Sequence, residues 1–245
     1  LANARKVMDE SISHDDSLWA KIVELGWTGI RIPEEYDGLG LGHLELCVIA
    51  EEIGRALAPI PFSSSVYLFT ETIIKYGSDD IKKEILPKLV TGEVVGTYAV
   101  AEDMAAVSEA NLSCSVDVDA INGTKIAVPD ADLATHAIVL AKASSGTELR
   151  LVDLNAEGVS TSLQKNLDKS RSFYKVEFNN SKSSLLGESG AGWDSHVHIM
   201  DQAAVLFAFE QVGGSQQALD MAKQYAMERY AFGRQIGSYQ AIKHK

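Results

Sequence analysis

Tyr225-Ala-Met-Glu-Arg229-Tyr-Ala-Phe232-Gly233-Arg-Gln-Ile236-Gly-Ser-Tyr-Gln240-Ala-Ile-Lys-His244 joins the end of one helix to the start of another. The arriving helix carries Ala218, Leu219, Ala222 and Tyr225 at helical spacing, and Gly233 is a natural stop for it. Arg229 then falls in its last turn, where a cation meets unsatisfied carbonyls. The same spacing supports a second reading, in which Arg229 and Phe232 sit one turn apart on one side. There they offer a forked guanidinium to a pyrophosphate and an aromatic face to the rest of a dinucleotide. Spacing alone does not separate the two.

Working outward, the helical period runs from Trp193 to Arg229, breaks at Gly233 and starts again near Ser238. It predicts the start of a helical unit over 191–245. Between 94 and 190 the period is two. Leu112, Cys114, Val116 and Val118 alternate with Ser113, Ser115, Asp117 and Asp119 as in a half-buried strand, and Asn122-Gly123 predicts the turn that closes a hairpin. Further strands are expected at Ala137–Ala141, Leu149–Leu154 and Tyr174–Phe178, with Ala143-Ser-Ser-Gly146 as a turn. Residues 1–93 read as helices. Leu18, Ile22, Val23 and Leu25 recur at helical spacing, as do Leu44, Val48, Ile49 and Ile53, and Gly77-Ser-Asp-Asp is a stop followed by an N-cap. Leu1 to Arg5 already look like helix interior, and Lys245 ends a helical pattern in mid-course.

Several local features have ordinary explanations. The glycine-rich stretch from Ile32 to Gly42 lacks the Lys-Ser/Thr of a P-loop and a preceding strand, so phosphate binding by it is not expected. His196 and His198 are two apart on a helix and point in different directions, which argues against a shared metal. Cys47 is expected in the core with Leu44 and Val48. Asp130 and Asp132 after Pro129 read as a turn. Gly213-Gly214 inside a helix costs about 1 kcal/mol per residue relative to Ala, a cost that close helix packing would offset.

Composition narrows the class. The content is 46% apolar and 23% charged, ordinary for a globular protein. Twenty-two Lys plus Arg against 34 Asp plus Glu give a net charge of -12, which argues against nucleic-acid and anionic-membrane partners. Two distant cysteines, no long apolar run and no export signal fit a reducing cytoplasm.

The C-terminal stretch closely resembles the R-x-x-F-G-x-x-I-x-x-x-Q segment of flavin-dependent acyl-CoA dehydrogenases. Leu25-Gly-Trp-Thr-Gly-Ile-Arg-Ile-Pro-Glu-Glu-Tyr-Asp-Gly-Leu-Gly40 resembles the family's N-terminal signature, Glu51-Glu-Ile-Gly-Arg55 the helix that follows, and Leu86-Pro-Lys-Leu-Val-Thr-Gly-Glu93 the entry to its β domain. The resemblance implies an α+β multidomain fold: an N-terminal helical domain, a middle β barrel or sandwich, and the start of a C-terminal helical bundle. It also implies FAD, oxidation of an acyl-CoA to the 2,3-enoyl-CoA, as in fatty-acid or steroid side-chain β-oxidation, and an electron-transfer flavoprotein as acceptor. Assembly as a homo- or hetero-oligomer, dimer or tetramer, with a family paralogue follows from it too. On the C-terminal side the implied FAD-binding positions are Arg229, Phe232, Ile236 and Gln240, and on the β side Tyr98, Val100, Ala101, Val128 and Pro129.

The sequence departs from the family at several of these positions. In the family's Y-x-V-T-E element, here Tyr98-Ala-Val100-Ala101-Glu102, the threonine that would reach the flavin is Ala101. The W-I-T element becomes Ala127-Val128-Pro129, and proline has neither N–H nor hydroxyl. One of the family's two positions for the catalytic glutamate lies on the long helix, 26 residues before Arg229, and is Ala203 here; no catalytic base is identified. Family flavins sit at subunit interfaces, so a subunit with a degenerate β pocket and an intact Arg-Phe-Gln segment can still serve its partner's flavin. A working dehydrogenase, a companion subunit and a fold kept for association alone therefore compete.

Overall fold

The computed structural model describes residues 2–10 and 12–244; Leu1 and Lys245, on which the helical patterns at the two ends were partly read, lie outside them. Asp15 and Ser78 each accept the backbone N–H three residues on, and so start α2 (Asp16–Glu24) and α5 (Asp79–Val90) after the short α1 (Ala2–Glu10). Helix α3 spans His43–Ala56, and a π-helical segment, Ser63–Thr70, continues into α4 (Glu71–Tyr76). The glycine-rich stretch before α3 folds on itself: Gly38, Leu39, Gly40 and Leu41 donate their N–H groups to Pro33, Gly29, Ile32 and Ile30. A Cβ at Gly38 would stand 2.0 Å from the Ile32 carbonyl. Those donors are therefore used inside the loop, which Arg31 ties to Glu71 (2.8 Å) and to the Leu41 carbonyl.

Helix α3 corrects one expectation. Cys47 is buried, but Leu44 and Val48 are 73% and 61% exposed, and the inward stripe is Leu46, Cys47, Ala50 and Ile53. The crossing with the long helix α6 (Gly192–Glu228) decides this. A Cβ at Gly54 would lie 2.0 Å from the Glu210 carbonyl, and one at Gly213 would lie 1.9 Å from that of Glu51. Backbones that close fix which stripe of α3 faces inward, and they account for Gly213 in mid-helix.

Eight strands form the middle. They are β1 (Gly96–Ala99), β2 (Ser115–Asp117), β3 (Ala120–Pro129), β4 (His136–Ala143), β5 (Gly146–Asp153), β6 (Val159–Gln164), β7 (Phe173–Lys182) and β8 (Ser184–Leu186). Their order is β6-β7-β3-β2-β4-β5-β8, with β1 parallel to β4. One residue pair, Ser115 with Lys142, links β2 to β4, and the two halves pack as layers. Ile121, Val128, Val176 and Phe178 meet Ala137, Val139, Ala141 and Val152 between them. The alternate residues of β4, Ile138 and Leu140, point the other way into the helical core with Ile199, Ala203 and Leu206 of α6. Strand β4 is therefore apolar on both faces.

Ser144-Ser145 turns β4 into β5 as expected, with Ala143 paired to Gly146. The first hairpin differs. Asp117 pairs with Ala120, so Val118-Asp119 makes the turn, and Val118 is 81% exposed at φ 55 rather than continuing the buried alternation. Gly123 lies inside β3 at a break in register, where a Cβ would be 2.7 Å from Cys114 Cα. Glycine there allows strands to approach instead of turning the chain. No described helix is long and apolar enough to cross a membrane.

Candidate functional site

Helix α6 ends at Glu228, and Arg229 leaves it in extended geometry (φ -75, ψ 125). Phe232 (φ 52) and Gly233 (φ 83) are the two turn residues of a hairpin, β9 (Tyr230–Ala231) with β10 (Arg234–Gln235). This corrects the expectation that Gly233 stops the helix and that Arg229 and Phe232 lie one turn apart on it. Two consecutive left-handed residues reverse the chain, and the Ile236 N–H closes the reversal on the Arg229 carbonyl at 2.9 Å. The loop is braced from below. Tyr239 donates to the Ala231 carbonyl (2.8 Å), the Arg234 guanidinium lies 3.9 Å from the centre of the Tyr239 ring, and Gly237 approaches the Ala226 carbonyl. Phe232 is 98% exposed at the tip. Ile236 is half-buried, and Arg229 and Gln240, which starts α7 (Gln240–Lys243), are exposed. The Arg229 guanidinium has no ion pair among the described residues.

The β-side residues are differently placed. Tyr98 is buried on β1, its hydroxyl 3.2 Å from His196 Nδ1 and its ring stacked on that imidazole. Burial, with a smaller contribution from the charge of Lys125, pushes His196 down to about 4, so it is neutral. Its near neighbour His198 meets Lys75 instead, which separates the two histidines. Val100 and Ala101 are used through their carbonyls, by Lys125 Nζ (3.1 Å) and the Ile126 N–H (2.8 Å). Val128 is buried. Ala127, in the left-handed region (φ 50), donates its N–H to Gln164 Oε1 at 2.7 Å, and Asp130 donates its own to the Ser172 carbonyl. The Pro129 carbonyl accepts from Thr97 at 2.6 Å. Glu102 is a clamp. Burial opposes its charge, but Lys125 Nζ (2.7 Å) and Ser113 outweigh that and hold its carboxyl below the usual range.

A cavity of about 490 Å³ opens beside Pro129, walled by Gly54 and Leu57 of α3, Ser63, Ser64 and Leu68, Arg171 and Phe173, and Phe207, Glu210, Gln211 and Gly214 of α6. Mostly apolar walls with a few convergent polar groups are what a small-molecule site needs. The polar groups interlock: Arg171 Nη1 donates to Ser63 Oγ (2.6 Å), Arg171 Nη2 lies 3.6 Å from Glu210 Oε2, and Ser64 donates to Asp130 Oδ2 (2.6 Å). Asp130 sits in the β3–β4 turn, as read from sequence, yet its carboxyl is buried and raised by that burial. Burial likewise raises Glu210, against the charge of Arg171. Ala203 is fully buried on the same stripe of α6 one turn before Phe207 and is not part of the cavity wall; Asp201 is exposed.

Sequence reading missed Glu210, Arg171 and the serines. The signal for Glu210 was present: a single acid inside the apolar run from Ala203 to Gly214, on the stripe of Ala203. Arg171 carried no local signal, since its partners are on other elements.

Two family models match the chain: the acyl-CoA dehydrogenase N-terminal domain over residues 1–93 and the acyl-CoA dehydrogenase C-terminal domain over 190–245. Mitochondrial isovaleryl-CoA dehydrogenase of Solanum tuberosum is 30% identical over 94% of the chain and 60% of its own length. The chain therefore spans about 60% of the length of the curated relatives it matches. Among solved structures, acyl-CoA dehydrogenase complexed with FAD from Bacillus anthracis is 26% identical with a TM-score of 0.92, covering 99% of this chain and 44% of that one. The Tcur3481-Tcur3483 steroid ACAD G363A variant is 28% identical with a TM-score of 0.83, covering 99% and 70%. With the helical N-terminal unit, the central sheet and the first long helix of a C-terminal helical unit in the family's order, this chain belongs to the acyl-CoA dehydrogenase family.

Proposed function

We propose that this chain is a subunit of an FAD-dependent acyl-CoA dehydrogenase, and that within the assembly it is the companion that completes a paralogous partner's FAD and substrate sites. FAD, when bound, takes the hydride released as an acyl-CoA thioester becomes the 2,3-enoyl-CoA, and an electron-transfer flavoprotein is the expected acceptor. The division into units 1–93, 94–190 and 191–245 and a cytoplasmic setting belong to the same reading. A heteromeric arrangement draws support from the likeness to the Tcur3481-Tcur3483 steroid ACAD.

One observation carries the proposal. Around Pro129, the Ala127 and Asp130 N–H groups already have partners within the sheet, and Pro129 has no N–H. The residues there do not fit a flavin ring that requires hydrogen-bond donors, so no step is assigned to this face. The residues of the C-terminal loop do fit: Arg229 is exposed and without an ion-pair partner among the described residues, and Phe232 projects from the tip. In this reading Arg229 grips the pyrophosphate of a partner's FAD, with Phe232, Ile236 and Gln240 beside it. With Ala203 buried and apolar, this helix supplies no base at the family's position.

The test is flavin content. The full-length protein purified alone should be colourless or substoichiometric in FAD, and co-expression with a paralogue should give a yellow complex. A full complement of FAD in the homomer would overturn the companion role.

A further inference from the structure

We infer that the cavity between α3, the π-helical segment and α6 is a binding site of its own, which takes the hydrocarbon tail of an acyl thioester and holds it without oxidising it. The inference rests on the companion role proposed above and adds a ligand to it: one unreacted acyl chain in this subunit, besides the one that reacts at the partner's flavin.

The walls decide what the occupant is. Leu57, Leu68, Phe173 and Phe207 line a space of about 490 Å³, a volume typical of small-molecule sites. The charged side chains of the wall are already paired. Arg171 lies between Ser63, to which it donates at 2.6 Å, and Glu210 at 3.6 Å, and Glu210 in turn bonds the buried Tyr67 hydroxyl. Ser64 is committed to Asp130 at 2.6 Å. Groups paired in this way gain little from a polar ligand, and breaking a pair strands the member left behind. What remains on offer is apolar area, which suits a run of methylenes and not an oxygenated chain.

The neighbouring face denies that chain its chemistry. Pro129 borders the cavity and has no N–H, and the N–H groups of Ala127 and Asp130 are bonded to Gln164 and Ser172. On α6, Ala203 puts a methyl group where a carboxylate would be needed. Binding requires only the walls, whereas oxidation requires an electron acceptor and a base held in reacting geometry. Here the walls are present without the rest.

Gly214 makes the cavity accessible to a test. It lies in the wall on α6, and a Cβ there would meet only the Gly54 carbonyl oxygen, at 3.5 Å, an ordinary contact. At the adjacent Gly213 a Cβ would stand 1.9 Å from the Glu51 carbonyl. A side chain at 214 therefore fills the cavity without forcing the two helices apart.

The experiment counts ligands. The assembled complex is titrated calorimetrically with 3-thiadecanoyl-CoA, in which sulfur replaces the β carbon and leaves no hydride to transfer. Two thioesters per pair of subunits are expected, and one when this chain carries Gly214→Leu. That variant should melt no lower than the parent, because leucine favours a helix more than glycine does. A photoreactive diazirine at the end of the same chain gives a readout that needs no variant, and it should label this subunit in the segments of Leu68 and Phe207. A terminal carboxylate on the chain should weaken binding at this site roughly ten- to a hundredfold, the cost of burying a polar group without a partner. One thioester per pair in the parent, an unchanged count in Gly214→Leu, label on the partner alone, or equal binding of the carboxylated chain overturns the second site and leaves the companion role standing. If Gly214→Leu melts lower, the label decides. If no thioester binds, the acyl-CoA reading itself fails, and a homomer full of FAD overturns the companion role and the unreactive chain with it.

Discussion

The sheet edge from Ala127 to Asp130 and the loop from Arg229 to Gln240 are built on opposite terms. At the sheet edge, backbone donors have been drawn into the fold: Ala127 is bonded to Gln164, Asp130 to Ser172, and the nearby Tyr98 hydroxyl to His196. At the loop, the frame is formed by the Tyr239 hydroxyl bond to Ala231, the Ile236 bond to the Arg229 carbonyl and the close approach of Gly237 to Ala226, and it leaves the Arg229 guanidinium and the Phe232 ring exposed. The frame fixes where those groups start from, so binding costs little ordering of the backbone. A region whose polar groups are satisfied internally offers packing, whereas one with a rigid frame and unpaired tips offers contacts to another molecule.

The contrast can be sharpened first by acid. His196, under Tyr98 on the closed side, titrates near 4 when folded, against 6.5 for the free side chain. The unfolded chain therefore takes up a proton below 6.5 that the folded chain refuses until about 4. Stability is complete above that range and falls as pH drops through it, by up to about 3 kcal/mol. Denaturant midpoints between pH 7 and 4 should fall less steeply in His196→Gln. Equal slopes would mean that the imidazole is not held neutral and that the sheet side is looser than described.

The open side should respond to loss of charge. Arg229→Ala should weaken FAD retention in the complex by about one to two decades, as expected for one charge-assisted contact, and Arg229→Lys should recover part of it. The melting temperature should hardly move, because the residue is exposed and the guanidinium has no ion-pair partner among the described residues. If flavin titration is unchanged and the protein melts earlier, Arg229 is a structural end-piece and the contrast between the regions collapses.

The smallest effect is expected at Asp201, which is exposed on α6, about 200° around the helix from the buried Ala203. Asp201→Asn should leave flavin reduction by acyl-CoA in the complex within a few-fold. Removing a general base costs about 10² to 10⁴. Stopped-flow reduction decides it. A hundredfold loss with FAD content unchanged would put the base on this helix.

Much of the architecture was legible because its signals are local. Ser78 caps α5 three residues away, and Gly146 sits where a two-residue turn ends. A periodic run of apolar residues marks α6 whatever it packs against. Asn122-Gly123 misled because the dipeptide that makes a good turn also makes a good close approach. The pairing of Asp117 with Ala120 chose between them. The loop after α6 misled in the same way: a glycine after a helix was read as its stop, while the hairpin placed Gly233 five residues beyond Glu228, the last residue of the helix.

The sequence by itself determined the family, the order of helical and strand units, and the departures at Ala101, Pro129 and Ala203. Each of these is a matter of residue identity or of spacing along the chain. Tertiary structure alone decided which stripe of α3 is buried, whether the donors beside Pro129 are taken, and that Ser63 and Arg171, 108 residues apart, meet at one cavity with Glu210. The physical reason is range. Caps and turns are satisfied within a few residues, whereas burial and hydrogen-bond satisfaction depend on which distant groups close packing brings within reach.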